Sequence, residues 1–537
     1  MPSTQAASAG VTMRFTLPDA SNGYGQNGTV ACYVNGTLVQ TVNLTSYYAW
    51  QYFDAAGDPS DAPISGSEPA FAFDEAHWLL GTALKPGDVI KIQSTGGPVV
   101  GVDFIEVEPV PAKLGQPSGS VSVASYGAVA YPNNSAAYSE IAGFQSAGGY
   151  GGTTTAPGVT DSLSAFNAAV TAALNSPSKT LYIPAGTYYL SSMWVLGTSP
   201  VSGLTVVGDG IWYTNIQFTN PNVSGGGCSF QMGATATLNF SNIYLNSMLR
   251  SRYNENAVYK CFMDNFGANS SVTNVWEEHF ECGFWVADYH HNPDQVAYGL
   301  NIQNCRLRNN LADGVNFCNG TYNSTVQNCN IRNGGDDGLA VWPNNFNGAP
   351  MAVNDTFTHN TIEFEWRSSG MALYGGSGHQ ITYNLVENLY MSAGFRVTTG
   401  FSGYQFQSNT GITVSNDSFI NCGTAYDAWG GELGAVDLEA SNTSVQGFTF
   451  ANCQVINALH DGYAFGFSGG FSNMNFNSCT ANGTGLDGVT ASKYTQAHAG
   501  AGIETYSAGA ATFTSFTFAN CVGGEDFNQG GFVITFK

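Results

Sequence analysis

Two segments of the 537-residue chain carry acids at a spacing that can do chemistry: Asp313 in LADGVNF, and Asp336 with Asp337 in NGGDDGLAV. Shifting the sequence by 24 places Asn304-Cys305 on Asn328-Cys329, Leu307 on Ile331, Arg308 on Arg332 and Asn309 on Asn333. The same shift places Asp313 on Asp337, Gly314 on Gly338 and Val315 on Leu339. A repeat of that length is one coil of a stacked ladder. Residues related by it lie on adjacent rungs, about 4.8 Å apart at the backbone. Asp313 and Asp337 are therefore expected one above the other, with Asp336 leaving the chain in another direction. Crowded carboxylates raise one another's proton affinity. Hydrolysis of a glycosidic bond uses such a set: one carboxyl stays protonated to help the leaving oxygen, and another is ionised to activate water. An inverting reaction asks for carboxyls roughly 6.5–9.5 Å apart, which extended side chains on adjacent rungs can span. Asp-Gly is also an ordinary turn dipeptide and recurs at Asp461-Gly462 and Asp487-Gly488. The doubled acid, the one-coil pairing and the company of Arg332 and Trp342 single out Asp313, Asp336 and Asp337 as catalytic candidates.

Such acids need a groove with flat faces for sugar rings. Trp342, five residues after Asp337, is the first candidate, with Arg332 as a planar polar partner. Trp285, Tyr289, Trp366, Tyr374 and Trp429 fall in neighbouring coils or their loops and complete the candidate substrate-binding set. The run Trp276-Glu277-Glu278-His279-Phe280-Glu281, with Ala287-Asp288-Tyr289-His290-His291, is unusually charged for this chain. Its spacing fits no sharp metal pattern, so it is read as a solvated loop beside the groove. His359, His379 and His460 are expected to be structural.

The elements that must hold these residues are strands. THNTIEF, TYNLVENL, VSNDSFINCG, FANCQVINAL, FNSCTANG and FANCVGGED repeat the pattern of a β-rich run ending at Asn or Gly. Asparagine at a fixed corner tolerates left-handed backbone and stacks into a hydrogen-bonded ladder, which accounts for 66 glycines and 49 asparagines. The region 121–537 is thus expected to be a parallel β-helix. It opens with YGA, a helix starting at Asp161 as N-cap, and YIPAGTYYL; the helix would close the end of the ladder. Residues 110–120 (VPAKLGQPSGS) are Pro-rich and read as a linker. Over 11–109, short alternating strands with an Asn35-Gly36 hairpin predict a β-sandwich. Its aromatic segment Tyr47-Tyr48-Ala49-Trp50-Gln51-Tyr52-Phe53 is either a sugar-stacking surface or, the favoured reading, core plus interdomain contact. Residues 1–10 lack a basic start and an apolar stretch, so they are expected to be a tail and not a signal peptide.

Composition narrows the partner. Lys and Arg number 15 against 38 Asp and Glu, for a net charge of -23. Counterion release on nucleic acid needs clustered cations, so nucleic acid and polyanionic polysaccharides are disfavoured and a neutral partner is expected. No apolar run is long enough to span a membrane. The 11 cysteines cannot all pair within the chain, and recurrence in QNC, INC and ANC suggests repeated packed thiols.

Residues 101–109 (GVDFIEVEP) resemble the last strand of carbohydrate-binding modules of families 6 and 35, jelly rolls that often hold calcium. The YGA–helix–YIPAGTYYL succession resembles the start of right-handed parallel β-helices of the pectin-lyase kind. A single and then a double aspartate on successive coils is similar to several β-helix glycoside hydrolases, and the R-x-K signature of polygalacturonases has no match here. With SYYAWQYF, GVDFIEVEP, LADGVNF and RNGGDDGLAVWPN in this order, the chain is identified as a member of glycoside hydrolase family 87, the bacterial α-1,3-glucanases and mycodextranases. The resemblance implies an all-β chain, inverting endo-hydrolysis and a catalytic set of Asp313, Asp336 and Asp337. We expect Asp336 to be the acid and Asp313 and Asp337 to hold the water. It further implies a neutral α-glucan substrate (α-1,3-glucan, or the alternating α-1,3/α-1,4 polymer), secretion, a monomer and no catalytic cofactor, with structural calcium possible. A β-helix polysaccharide lyase and a non-catalytic polysaccharide-binding solenoid are the competing classes.

Overall fold

The alternation read over the first hundred residues folds as antiparallel sheets. In the computed structural model, residues 8–20, 25–53, 59–60, 69–132, 159–198, 203–220, 226–231, 236–249, 259–343, 348–401, 405–406, 411–490 and 492–537 are described. Strand Ser8–Thr16 lies between Asp74–Leu79 and Gly101–Val110. A second sheet joins Thr37–Thr45, Asn27–Val34 and Ile90–Ser94. Val11, Met13, Phe15 and Trp78 meet Val30, Cys32 and Leu44 in the core between them. Asn35 and Gly36 take φ of 50° and 81°, the mirror-image turn that matches strand twist. Two expected boundaries shift. Ser8, Ala9 and Gly10 already pair with Val110, Pro109 and Glu108, so a tail spanning 1–10 is too long, and residues 1–7 lie outside the described residues. The linker is not a free tether either: Leu114 and Gly115 donate their N–H groups to Asp209 on an early coil.

From residue 121 the chain winds through three-legged coils. One coil runs through Asn301–Gln303, Arg306–Arg308 and Val315–Cys318, and the next through Thr325–Gln327, Asn330–Arg332 and Leu339–Trp342. Each leg pairs in parallel with its counterpart one coil on. First and second legs merge into a 25-stranded sheet and third legs into a 12-stranded sheet. Asparagines turn the corners in left-handed backbone: Asn304 and Asn328 between the first two legs, Asn309 and Asn333 before the third. Their side chains form rungs, as where Asn333 Nδ2 donates to Asn309 Oδ1 at 2.9 Å. Val315, Leu339, Met371 and Phe395 stack inward on the third legs, fully buried. Cys305 and Cys329 stack at one corner as packed thiols, and among the described residues all eleven cysteines are unpaired. Helix α1, Leu163–Asn175, seats Phe166, Ala169, Val170 and Ala173 in the end of the same core. Asp161 Oδ1 accepts from Leu163 N at 3.0 Å, capping from one residue before the boundary residue Ser162. Among the described residues no helix is long and apolar enough to cross a membrane.

The sandwich is clamped onto the second legs. Tyr47 and Tyr48 donate to the carbonyls of Met248 and Ser247, and Tyr48 stacks on His279 with centroids 3.6 Å apart. Tyr47 and Tyr48 of the aromatic segment are therefore an interdomain contact, while Tyr52 donates to Asp19 within the sandwich. His279 bridges Asp74 at 2.9 Å and Asn246 at 2.8 Å. The first part of the charged run, around His279, is not the solvated loop expected from its composition, whereas Tyr289 and His290 of the second part are exposed in a loop. Ser271–Glu278 is a strand, and Trp276, Glu277 and Glu278 are fully buried. Burial holds both glutamates well above the usual carboxyl range.

Candidate active site

The ladder register brings the aspartates together. Gly314 N donates to Asp337 O at 3.0 Å and Gly338 N to Ser369 O at 2.9 Å. Asp313, Asp337 and Ser369 thus occupy one position on three successive coils, at the turn into the third leg. One carboxylate oxygen from each of Asp313, Asp336 and Asp337 lies within 4.8 Å of the others.

Asp337 is pinned. Its Oδ1 accepts from Ser368 Oγ at 2.8 Å and Ser369 N at 3.0 Å, and its Oδ2 from Tyr374 Oη at 2.6 Å. Burial first, and the neighbouring Asp336 second, still push it up to about 6 against these three donors. Asp336 is the more open acid, its side chain 20% exposed and 3.4 Å from Arg367 Nη2. Below the turn lies a fourth acid, Glu365, with both oxygens buried and without a hydrogen-bond partner. Burial, then the charges of Asp337, Asp336 and Asp313, hold it well above the usual carboxyl range. The glycines of NGGDDG make room for this support. A Cβ at Gly334 would sit 2.1 Å from Glu365 Oε2, and one at Gly335 2.3 Å from Trp366 Cζ2.

Asp313, Asp336 and Asp337 line a cleft of about 1100 Å³ along the outer face of the 12-stranded sheet. Trp285, Asn316, Ala340, Ala372 and Arg396 form one in-register column of that face. The two alanines deepen its floor beside the aspartates, and Trp342 and Tyr374 pack against them. Trp285, Tyr289 and Trp429 line the walls. Trp285 Nε1 donates to Tyr289 Oη at 2.6 Å, and the Arg367 guanidinium lies 5.4 Å above the Trp429 ring. The acid trio offers oxygen donors only, a set that would suit a hard cation if it bound one.

The chain matches the family described as alpha-1,3-glucanase catalytic domain D1 over residues 2–110 and domain D2 over residues 158–448. It is 50% identical to the Agl-KA catalytic domain, whose crystal structure superposes with a TM-score of 0.91 over 98% of this chain and 87% of that one. The chain belongs to the α-1,3-glucanase catalytic-domain family. It is a glycoside hydrolase. The fold is shared with the thermostable family 87 α-1,3-glucanase of Streptomyces thermodiastaticus strain HF3-3, at 21% identity and a TM-score of 0.75 over 99% of this chain and 87% of that one. It is shared too with a family 87 α-1,3-glucanase solved with nigerose, at 18% identity and a TM-score of 0.73 over 99% and 89%. No curated protein matches the chain in sequence.

Two predicted binding residues of this α-1,3-glucanase-family chain lie elsewhere. Arg332 points away from the cleft into the sandwich, bonded to Glu75 at 2.9 Å, Glu106 at 3.0 Å and Glu363 at 3.1 Å. The chain bends at Asn333, so Arg332 leaves the second leg while Asp336 and Asp337 lie past the corner. Trp366 is buried between Gly335 and Ala49 of the sandwich, with Nε1 on Asn333 O at 3.3 Å. The remaining eight predicted site residues line the cleft. Sequence reading missed its ion pairs, Lys260–Glu281, Arg367–Asp336 and Arg396–Glu439, and the donors Ser368 and Ser369. The signal for Arg367, Ser368 and Ser369 was one further coil step from the aspartates, hidden by a longer coil.

Proposed function

We propose that the chain hydrolyses internal α-1,3-glucosidic bonds of a neutral α-glucan with inversion at the anomeric carbon. The observation that carries this reading is the aspartate trio lining the cleft, with one acid facing the open space and one locked by three donors. Asp336, facing the cleft, protonates the leaving glucosyl oxygen as the bond to the anomeric carbon breaks. Asp313 and Asp337 hold a water, take its proton and direct its oxygen at that carbon. The donors on Asp337 all favour its ionised form. Each cleft cation is matched by an acid, which supports a neutral substrate. A family 87 relative has been solved with nigerose and with tetrasaccharides as single Asp→Ala variants. Its three substituted aspartates have the same spacing as Asp313, Asp336 and Asp337, one acid followed 23 and 24 positions on by an adjacent pair. In this reading the enzyme is secreted and monomeric, and the reaction needs only water and the three acids.

Oxygens that approach within 4.8 Å also fit a second reading, double displacement with retention, in which the nucleophilic carboxylate stands roughly 5–5.5 Å from the acid. Proton NMR of the first-formed anomer on α-1,3-glucan separates the two. The β-anomer is expected, and an initial α-anomer would refute inversion. Chromatography of products from α-1,3-glucan and from the alternating α-1,3/α-1,4 polymer tests the linkage. Endo cleavage of α-1,3-glucan to a range of oligosaccharides is expected, and preference for the alternating polymer would assign the mycodextranase activity instead.

A further inference from the structure

A second cluster of ionisable side chains lies in later coils, outside the catalytic trio. Glu432, His460, Asp461 and His498 are all buried, and one donor atom from each lies within 4.8 Å of the others. His498 Nδ1 lies 3.1 Å from Gln496 O, an acceptor, which places the hydrogen on Nδ1. Its Nε2 faces Asp461 Oδ1 and Oδ2 at 3.0 and 3.1 Å. His460 repeats the arrangement: Nδ1 is 3.4 Å from Asp487, and Nε2 turns inward, 3.7 Å from Asp461 Oδ2. Imidazoles that fix Nδ1 on an outer oxygen and aim Nε2 at a common point are oriented as metal-binding histidines are.

Two atoms show that internal hydrogen bonding does not complete the cluster. His460 Nε2 and Glu432 Oε1 are buried and have no hydrogen-bond partner. A proton shared by His498 and Asp461 would satisfy that pair and leave both of these atoms stranded. A cation at the centre would engage all four residues at once.

We propose that Glu432, His460, Asp461 and His498 bind one divalent ion of the zinc class. Two imidazoles and two carboxylates form a tetrahedral set suited to a borderline ion, whereas calcium and magnesium prefer oxygen alone. The placement gives the ion a task. Glu432 closes the loop bridged at Thr424 and Leu433 that carries Asp427 and Trp429. His498 ends the insertion that carries Lys493 and Tyr494. Lys493 Nζ donates to Trp429 O at 2.7 Å, joining the two loops above. His460 and Asp461 belong to the coil between them. The ion would staple one wall of the cleft from behind, and that consequence rests on the reading of the cleft as the glucan site. The binding itself does not.

The test uses the full chain and metal content, not turnover. Elemental analysis after dialysis against zinc and gel filtration should find one zinc per chain. Stripping with a chelator should lower Tm, and zinc should restore it where calcium and magnesium do not. His460→Gln and Glu432→Gln, checked for folding by circular dichroism, should lose the ion, and Asp313→Asn should retain it. Zinc-free wild-type protein with no zinc-dependent Tm would overturn the proposal. Loss of the ion from Asp313→Asn, or retention of calcium alone, would overturn the assignment to this cluster and ion class. If the ion binds but stripping leaves KM for long glucan oligosaccharides unchanged, the ion site stands and its role in the cleft wall is refuted.

Discussion

Tyr374 donates its hydroxyl hydrogen to Asp337 Oδ2 at 2.6 Å from the coil above, one of three bonds that address the ionised carboxylate. Removing that donor disfavours the charged form, so Tyr374→Phe should raise Asp337 above its value of about 6. If Asp337 acts as a base, kcat/KM falls as pH drops through that value. The acid limb of the Tyr374→Phe profile should therefore move to higher pH, with a larger loss at pH 5.5 than at pH 8. Superimposable profiles would remove Asp337 from the base role.

Asp313→Asn, Asp336→Asn and Asp337→Asn should each lower kcat by about 10²–10⁴, while calorimetry still detects oligosaccharide binding. A glucosyl fluoride needs no proton to leave, so it should restore turnover to Asp336→Asn alone. Recovery in Asp337→Asn instead would exchange the two roles.

Gly335→Ala tests the support under the acids. The added methyl would meet Trp366 Cζ2 at 2.3 Å and Leu311 O at 2.4 Å, and neither a packed indole nor backbone yields easily. A loss of about 1–3 kcal/mol in unfolding free energy should accompany reduced kcat, because Asp336 is the next residue. An unchanged Tm would show that Trp366 has room to move.

Arg332→Met removes a buried cation from Glu75, Glu106 and Glu363. Breaking a buried ion pair typically costs about 3–5 kcal/mol; Glu75 keeps Arg308 at 3.3 Å and Glu106 reaches solvent, so the loss should fall below that range and Tm should drop. KM, measured where the variant is folded, should not change. A raised KM with unchanged Tm would return Arg332 to the binding site.

Much of this was legible in the sequence because one physical constraint acts twice. A coil of fixed length stacks like residues on like, so the 24-residue shift alone places Asp313 under Asp337. The same logic explains the asparagines, whose left-handed corners recur at Asn304, Asn309, Asn328 and Asn333. It failed where coils lengthen: Arg367 follows Asp336 by 31 residues, and no constant shift finds it. It failed also where closeness in sequence was taken for closeness in space. Arg332 and Trp342 lie either side of the same acids, but the corner at Asn333 sends one into the sandwich and the other into the cleft. Ion pairs such as Lys260–Glu281 join residues of adjacent coils through burial, which a charge count does not reveal.

Strand Ser8–Thr16 is covered on both faces, by its own sandwich on one side and by the solenoid on the other. Its Arg14 reaches Asn333 at the corner just before the acids. The amino-terminal unit is thus built in as a bracket and is not carried as an accessory. Engineers who shorten or exchange modules in such enzymes would be cutting into the frame that holds the reaction centre, and a graft at residue 110 should be planned as active-site surgery.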